Sequence, residues 1–584
     1  MDVQNLQKQK PSAAKPWLKY YSAEAIACPL PECSIYSRLK SLNAGHEDEK
    51  AIHYYGTTIT YGKLLENIDR CAEAFSSLGV GRGEIVSFIS VTIPETVYAM
   101  YGLNKLGAVS NFIDPRMDKD SICRMIADAG SRIVVILDIA YPKLRAIENK
   151  LNLGHIIVQS AADSMAPLTK LGYRLTTKLP DIPYGESVEK WNTFVSRAKN
   201  THGTACAEAV PYIPDETAVI TYTGGTTGFP KGVMLTNDGM NTVALNFAYA
   251  GLHYDRGDRF LDIMPVFSSY GVVCGLHMPL TLGLENVVIP RFEASKLGAL
   301  IRKYKCNHML AVPAFYEMVM SDPKMKHYDL SFMRMLGTGG DTMNPALEEK
   351  LYNFMREHGI PNPPAQGYGM SEVHAAASFN FESTYRPGSV GIPSLKTTIS
   401  IFRPETTEEL DIGEEGEVCI SGPTIMKGYY KGEAETDYVM KRHPDGQLWV
   451  HSGDIGYMDE DGFVYVKGRV KHMIIRFDGH KVFPIQMETF LSAHPAVRNA
   501  AVIGVPDRAH GQGQLPLAVV ELDDGHKDKE KADALCRELF DSCNETLEER
   551  GRPVAVVAVD KMPITGLGKN DIRSLTEQYR EYKY

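Results

Sequence analysis

TTITYGKLLENIDRCAEAFSSLGVGRGEIVSFIS, residues 57–90, decides the fold class. It starts in a β-rich stretch and passes into a segment whose apolar residues Leu64, Ile68, Cys71 and Phe75 recur at helical spacing. Gly79, Gly81 and Gly83 then break the chain ahead of the apolar run Ile85–Ile89. This reads as a β-α-β unit, the element from which parallel sheets with crossover helices are built. Working outward, ETVYAMYGLNKLGAVSNFI (95–113) and SICRMIADAGSRIVVIL (121–137) again set a helical period before a short β-branched run. The α/β pattern resumes at Thr217 and continues to about Val466, and no fixed-period repeat interrupts it.

Between residues 160 and 210 the chain turns polar and turn-rich, which predicts an insertion or long surface connection. Within it Leu168, Leu171, Leu175 and Leu179 lie at near-helical spacing beside Lys170, Arg174 and Lys178. A solvated surface helix is the favoured reading of 166–180, because the segment is short; a peripheral contact with a membrane surface is the other. The apolar stretch Val266–Pro290 is interrupted by Ser, Gly, Pro, His277 and Glu285, so it reads as a buried helix plus strand. Beyond the charged junction Arg469–Lys471 a smaller block begins. There ETFLSAHPAVRNAAVIGVP and ADALCRELFDSCNETLEER read as helical, and LPLAVVEL and PVAVVAV as strands.

With 62 basic against 72 acidic residues the chain is net negative, which disfavours nucleic acid as a partner. The N-terminal residues contain no apolar core of secretory type. The 10 cysteines are scattered without a CxxC pair, which supports neither zinc nor a disulfide framework. A cytoplasmic protein with reduced thiols is expected.

Chemistry concentrates in TYTGGTTGFPKGVMLTN, residues 221–237. Gly224, Gly225 and Gly228 let the backbone turn its N–H groups inward, and Thr223, Thr226, Thr227 and Lys231 add hydroxyls and one positive charge. That composition suits a phosphate cradle. It is not a Walker A loop, because a β-like GVMLT follows the lysine where a helix would open.

The run resembles the phosphate-binding loop of the adenylate-forming superfamily, which includes acyl-CoA synthetases, peptide-synthetase adenylation domains and luciferases. The resemblance extends in order from about Lys15 to Lys569. It takes in GAVSNFIDPR (107–116), GTGGDTM (337–343), QGYGMSE (366–372), HSGDIGY (451–457), GRVK (468–471), GHKVFP (479–484) and PITGLGK (563–569). It implies a large N-terminal domain (1–467) of doubly wound α/β subdomains with an additional β subdomain, a hinge at 468–471, and a small mobile α+β domain (472–584).

It also implies roles. Tyr368, flanked by Gly369, matches the tyrosine that stacks on adenine. Gly339, Gly340 and Asp341 match the loop that edges adenine and borders the acyl pocket. Ser371 and Glu372 match the hydroxyl and carboxylate at the phosphates, with Glu372 holding Mg²⁺. Asp454, otherwise readable as a turn residue, matches the ribose-binding aspartate, and Arg469 the basic residue on the same sugar. Thr226, Lys231, Glu372 and Lys569 match the catalytic positions, with Lys569 reaching the α-phosphate and the attacking carboxylate. Lys471 matches the hinge about which the small domain rotates to bring in the loop of Gly479, His480 and Lys481 for CoA.

The implied reaction takes a carboxylic acid, ATP and CoA through an acyl-AMP. In MPVFSSYG (264–271) Phe267 and Ser268, with Met370, are the acyl-pocket candidates. No carboxylate stands there to pair with an ammonium group, which argues against an α-amino acid. The leader KPWLKYY and the insertion resemble bacterial long-chain fatty acyl-CoA ligases and point to a fatty or other apolar acid. Transfer to a carrier-protein phosphopantetheine, or a catalytically silent nucleotide-binding homologue, are the alternatives.

Overall fold

The structure, a computed structural model, describes residues 9–200, 208–223, 229–341, 343, 345–380, 383–478, 480–564 and 570–584, with the backbone alone for 199, 200, 471 and 481. Two large mixed sheets form its frame. One runs Gly428–Tyr429, Gly232–Thr236, Thr217–Tyr222, Val109–Ile113, Ile85–Ile89, Ile133–Leu137, His155–Gln159, Val188–Lys190. The other runs Ile392–Pro393, Ser378–Phe379, Ala365–Tyr368, Met335–Thr338, His308–Ala311, Arg259–Asp262, Glu285–Val288, Lys50–Tyr54, Thr57–Thr60. The central strands of both are parallel. Helix Pro94–Lys105 is buried on every side, and at Gly102 a Cβ would stand 3.0 Å from the Ala72 amide nitrogen of helix Tyr61–Ser77. Glycine there lets two crossover helices touch backbone to backbone.

The helix and both strands read from residues 57–90 are present, but they do not make one β-α-β unit. Thr57–Thr60 pairs antiparallel with Lys50–Tyr54 in the second sheet, whereas Ile85–Ile89 lies in the first. The cause is a tight hairpin: Tyr55 and Gly56 have φ of 42° and 89°, the double positive-φ geometry of a two-residue β-turn. The stretch 160–210 is likewise more than a surface connection. Val188–Lys190 adds an edge strand, and Trp191 and Phe194 are buried beside it. Val266–Pro290 folds as read, into the buried helical turns Tyr270–His277 and Met278–Thr281 and the strand Glu285–Val288. Among the described residues no helix is long and apolar enough to cross a membrane, and the cysteines are all free.

A third, antiparallel sheet of Thr398–Phe402, Gly416–Ser421, Leu448–Met458, Met440–Arg442 and Val464–Arg469 closes the large domain. The small domain follows, with Val497–Pro506, Gln514–Leu522 and Ala555–Val559 covered by helices Pro484–Ser492, Lys529–Thr546 and Ile572–Gln578. ETFLSAHPAVRNAAVIGVP is thus half helix and half strand. Pro495 cannot continue the helix, and the β-branched run after it pairs with Gln514–Leu522 instead.

Candidate active site

The phosphate-loop segment is a hairpin. Strands Thr217–Tyr222 and Gly232–Thr236 pair antiparallel, and its mouth is closed where the Thr223 amide donates to the Lys231 carbonyl at 3.0 Å. The Lys231 ammonium lies 4.8 Å from the centre of the Tyr429 ring, and the Tyr429 hydroxyl donates to Glu372 Oε1 at 2.6 Å. Tyr429 arrives on the short strand Gly428–Tyr429, which pairs with Met234 and Val233 on the outer edge of the hairpin. Burial, then the negative Glu372, drives the Tyr429 hydroxyl upward, so it stays a neutral donor. A cation, an aromatic face and a carboxylate therefore stand in a row at the root of the loop.

QGYGMSE leaves the carboxyl end of strand Ala365–Tyr368 and folds back sharply. A Cβ at Gly369 would fall 1.8 Å from the Ala375 carbonyl oxygen, and His374 and Ala375 have φ of 54° and 81°. Ser371 Oγ is 2.9 Å from Ser269 Oγ, which ties the turn to MPVFSSYG. The knot is drawn by His374. Its Nε2 accepts from the Thr236 amide at 2.8 Å and its Nδ1 donates to the Thr424 carbonyl at 2.7 Å. These two bonds require the neutral ring, and burial pushes its pKa down to about 4. The ring lies against Gly239, where a Cβ would be 2.3 Å from Nε2.

On the far side of Tyr368, its hydroxyl donates to Asp454 Oδ2 at 2.6 Å, while Arg469 Nε donates to Oδ1 at 2.8 Å. Asp454 is nearly buried and sits within strand Leu448–Met458, opposite Arg469 in the ladder, rather than in a turn. Gly453, at φ 72°, and a register shift beside it swing the carboxylate inward. The Asp454 charge raises the Arg469 pKa further. Glu417 fixes this bend by accepting from the Gly453 amide at 3.0 Å. It also holds His451 Nδ1 at 2.8 Å, and His451 Nε2 meets His443 Nε2 at 3.0 Å. Glu417, Cys419 and His451 bring ligand-type atoms within 4.8 Å of one another, but with both His451 nitrogens engaged the cluster reads as a brace and not as a metal site.

The remaining wall comes from the carboxyl ends of neighbouring parallel strands, where open α/β sheets bind their ligands. Gly339 follows Met335–Thr338, its amide donating to the Ala311 carbonyl at 3.2 Å. A Cβ on Gly339 would lie 3.8 Å from the Tyr270 hydroxyl, and Gly340 has φ 80°. Ser268 Oγ donates to the Pro265 carbonyl at 2.8 Å and accepts from the Gly271 amide at 3.0 Å. Phe267 is nearly buried under the Arg116 guanidinium, 5.2 Å away. The small domain approaches this wall: Glu488, on helix Pro484–Ser492, is pushed up to about 7 by burial and by the charge of Asp341.

Comparisons with known proteins give the family. The sequence profile of the AMP-binding enzyme family matches residues 40–430, and that of the AMP-binding enzyme C-terminal domain matches residues 486–569. The first spans well over half the chain. The chain belongs to the AMP-binding enzyme family. Within it the chain falls in the acyl-CoA synthetase branch, the acid–thiol ligases. It is 30% identical over 97% of its length to a long-chain-fatty-acid–CoA ligase of Bacillus subtilis, covering 98% of that protein. To 4-coumarate-CoA ligase 1 of Narcissus pseudonarcissus it is 29% identical over 80% of each chain. The crystal structure of an anthranilate CoA ligase with anthranoyl-AMP shares the fold, with a TM-score of 0.81 and 23% identity over 95% of this chain and 98% of that one.

In this AMP-binding enzyme the structure brings Thr223, Lys231, Glu372, Ser371, Met370, Gly369, Tyr368, Asp454, Arg469, Gly339, Gly340 and Asp341 to one region. Gly224, Gly225, Thr226, Thr227, Gly228, Gly479 and Lys569 lie outside the described residues, as do the side chains of Lys471 and Lys481. His480 is placed in the hairpin Ile474–Ile475/Lys481–Val482, its carbonyl accepting from the Arg476 amide at 2.9 Å. Sequence reasoning passed over Tyr429, His374 and Gly239. Tyr429 belongs to a strand far along the chain from the loop it flanks, and no local pattern marks it. Gly239, inside helix Asn237–Ala248, was the available signal, since a glycine at the start of a buried helix costs about 1 kcal/mol relative to alanine and calls for a reason.

Proposed function

We propose that this AMP-binding enzyme joins an apolar carboxylic acid to CoA through an acyl-AMP. The observation that carries the reading is the pair of linked clusters, Lys231–Tyr429–Glu372 and Tyr368–Asp454–Arg469, on either side of one turn. The first offers positive charge and a carboxylate to a polyphosphate, and the second a carboxylate to a ribose.

In the first step the acid's carboxylate oxygen attacks the α-phosphorus of ATP and the bond to the bridging oxygen breaks, releasing pyrophosphate. Lys231 and the loop threonines neutralise charge on the leaving side. Lys569 serves the α-phosphate side. In support, the described residues on either side of it, Ile564 and Asn570, form a bridge, and Asn570 is held to Asn499 at 2.7 Å on strand Val497–Pro506 of the small domain. Glu372 Oε1 is taken by Tyr429, and its second oxygen suits Mg²⁺, a cation that keeps phosphate oxygens and water as its other ligands. Such an ion would shield charge on the phosphates. In the second step the CoA thiol attacks the activated carbonyl carbon, loses its proton to solvent or base, and AMP leaves. Rotation at Lys471 withdraws Lys569 and brings in Gly479, His480 and Lys481.

Ser268 spends its hydroxyl on its own turn, and Phe267 is apolar, so neither of these two acyl-pocket candidates offers a charge to an ammonium group. A fatty acid fits, in keeping with the names of the bacillar relative and of a medium/long-chain fatty-acid ligase from Mycobacterium tuberculosis, 28% identical over 92% of this chain. The test is to incubate the full chain with ATP, Mg²⁺, CoA and a panel of aliphatic, aromatic and amino acids, and to identify products by mass. Acyl-CoA and AMP from an apolar acid are expected. Acyl-AMP that accumulates and is consumed only by a phosphopantetheinylated carrier would replace CoA as acceptor, and absence of pyrophosphate with every acid would overturn the reading.

A further inference from the structure

Helix Pro167–Thr176 is turned inside out. Leu168, Leu171 and Leu175 are 86%, 57% and 79% exposed, and Leu179, just past its end, 41%. At about 100° per residue the three helical leucines fall within an arc of about 60°, and Ala166, Lys170 and Tyr173 occupy the opposite side. That opposite side holds the helix to the protein. The Ala166 amide donates to the Tyr55 carbonyl at 3.4 Å, and a Cβ on Gly56 would stand 3.1 Å from the Ala166 Cβ. Tyr173 is partly buried and packs on the main core. The segment is thus fastened by its weakly apolar face and presents its strongly apolar one to water. A helix that served only to cover the sheet would be arranged the other way round.

Exposed Arg174 and Lys178 flank the leucines, while Lys170, on the opposite side, has its ammonium 3.3 Å from the Asp163 carbonyl. Basic side chains beside an apolar stripe match a surface that is anionic outside and apolar beneath. A second copy of the chain fits poorly, because a two-fold pairing through this face would bring the same basic side chains, Arg174 and Lys178, to both sides of the contact. We propose that helix Pro167–Thr176 docks the enzyme on an anionic lipid bilayer, the leucines entering the acyl boundary and Arg174 and Lys178 meeting headgroup phosphates. The reading is independent of which acid the active site takes.

The experiment is co-sedimentation of the full chain with vesicles of phosphatidylglycerol and phosphatidylcholine, against vesicles of phosphatidylcholine alone. Binding to the anionic vesicles is expected, weakened by 0.5 M salt. It should fall at least about tenfold in L168S/L171S/L175S and in R174E/K178E, with unchanged melting temperature and unchanged acyl-AMP formation from a water-soluble acid. Failure of the wild type to sediment with anionic vesicles would overturn the proposal, as would equal binding by the serine variant. So would a concentration-dependent dimer that the serine substitutions dissolve while vesicle binding is nil, which would make the face a contact between copies.

Discussion

Acid should loosen this protein through one ring. His374 is fully buried and must be neutral to accept from Thr236 while donating to Thr424, and its pKa falls from 6.5 to about 4 on folding. Because the folded pKa is depressed, the unfolded chain binds the proton first. The contribution is complete above pH 6.5 and is lost as pH falls toward 4, below which no further loss arises from this group. The difference of about 2.5 units corresponds to about 3 kcal/mol, lost at a rate approaching 1.4 kcal/mol per pH unit near pH 5. His277, buried between Tyr101 and Asn241 and lowered to about 3, adds a parallel slope, so the wild type alone does not isolate His374. The informative quantity is the wild type minus His374→Gln, in which His277 cancels. All three tryptophans, Trp17, Trp191 and Trp449, lie in the large domain, so guanidinium unfolding followed by tryptophan fluorescence between pH 7.5 and 4.5 reports on it. The wild type should lose about 2.5 kcal/mol more than the variant across that window. Parallel pH profiles would refute the assignment of a neutral, doubly bonded ring.

Gly239→Ala should force the His374 ring out of place, leaving the buried Thr236 amide unpaired at a cost of about 1–3 kcal/mol, visible as a lowered melting temperature. Tyr429→Phe removes the hydrogen bond to the Glu372 carboxylate. Pyrophosphate release from ATP and acid should slow by roughly 10- to 100-fold, as expected for a bond to a charged group worth about 1.5–3 kcal/mol, with little change in stability; an unchanged rate would remove Tyr429 from the site. Lys569→Ala should abolish pyrophosphate release yet leave thioester formation from supplied acyl-AMP largely intact, and equal loss in both half-reactions would count against its assignment to the first step.

The parts of the molecule legible in its sequence are those set by local chemistry. Helical spacing in 61–77 and the β-branched runs at 85–89 and 133–137 fix elements, because burying an apolar stripe needs only that stripe. Sheet membership is a different matter. Thr57–Thr60 looks like the first strand of a crossover until Tyr55-Gly56 is read as a two-residue hairpin turn, and nothing in 57–90 itself records that. In the site, motif residues stand out because their types are needed wherever nucleotide phosphates are held. Tyr429 and His374 escape because their work is to join segments far apart in the chain: a tyrosine and a histidine carry no local sign of the partner they will meet.

Asp454 divides its loyalty. One oxygen holds Tyr368, at the edge of the proposed base site; the other holds Arg469, the last residue of the strand before the chain turns toward the small domain. Whatever draws on that carboxylate also alters its grip on the strand end. With Asp454 on the ribose as proposed, the reverse holds with the same free energy: a swing of the small domain that tugs Arg469 changes how firmly the sugar is held. On that proposal nucleotide affinity and domain orientation are two readings of one balance, and a substitution at Arg469 should move both.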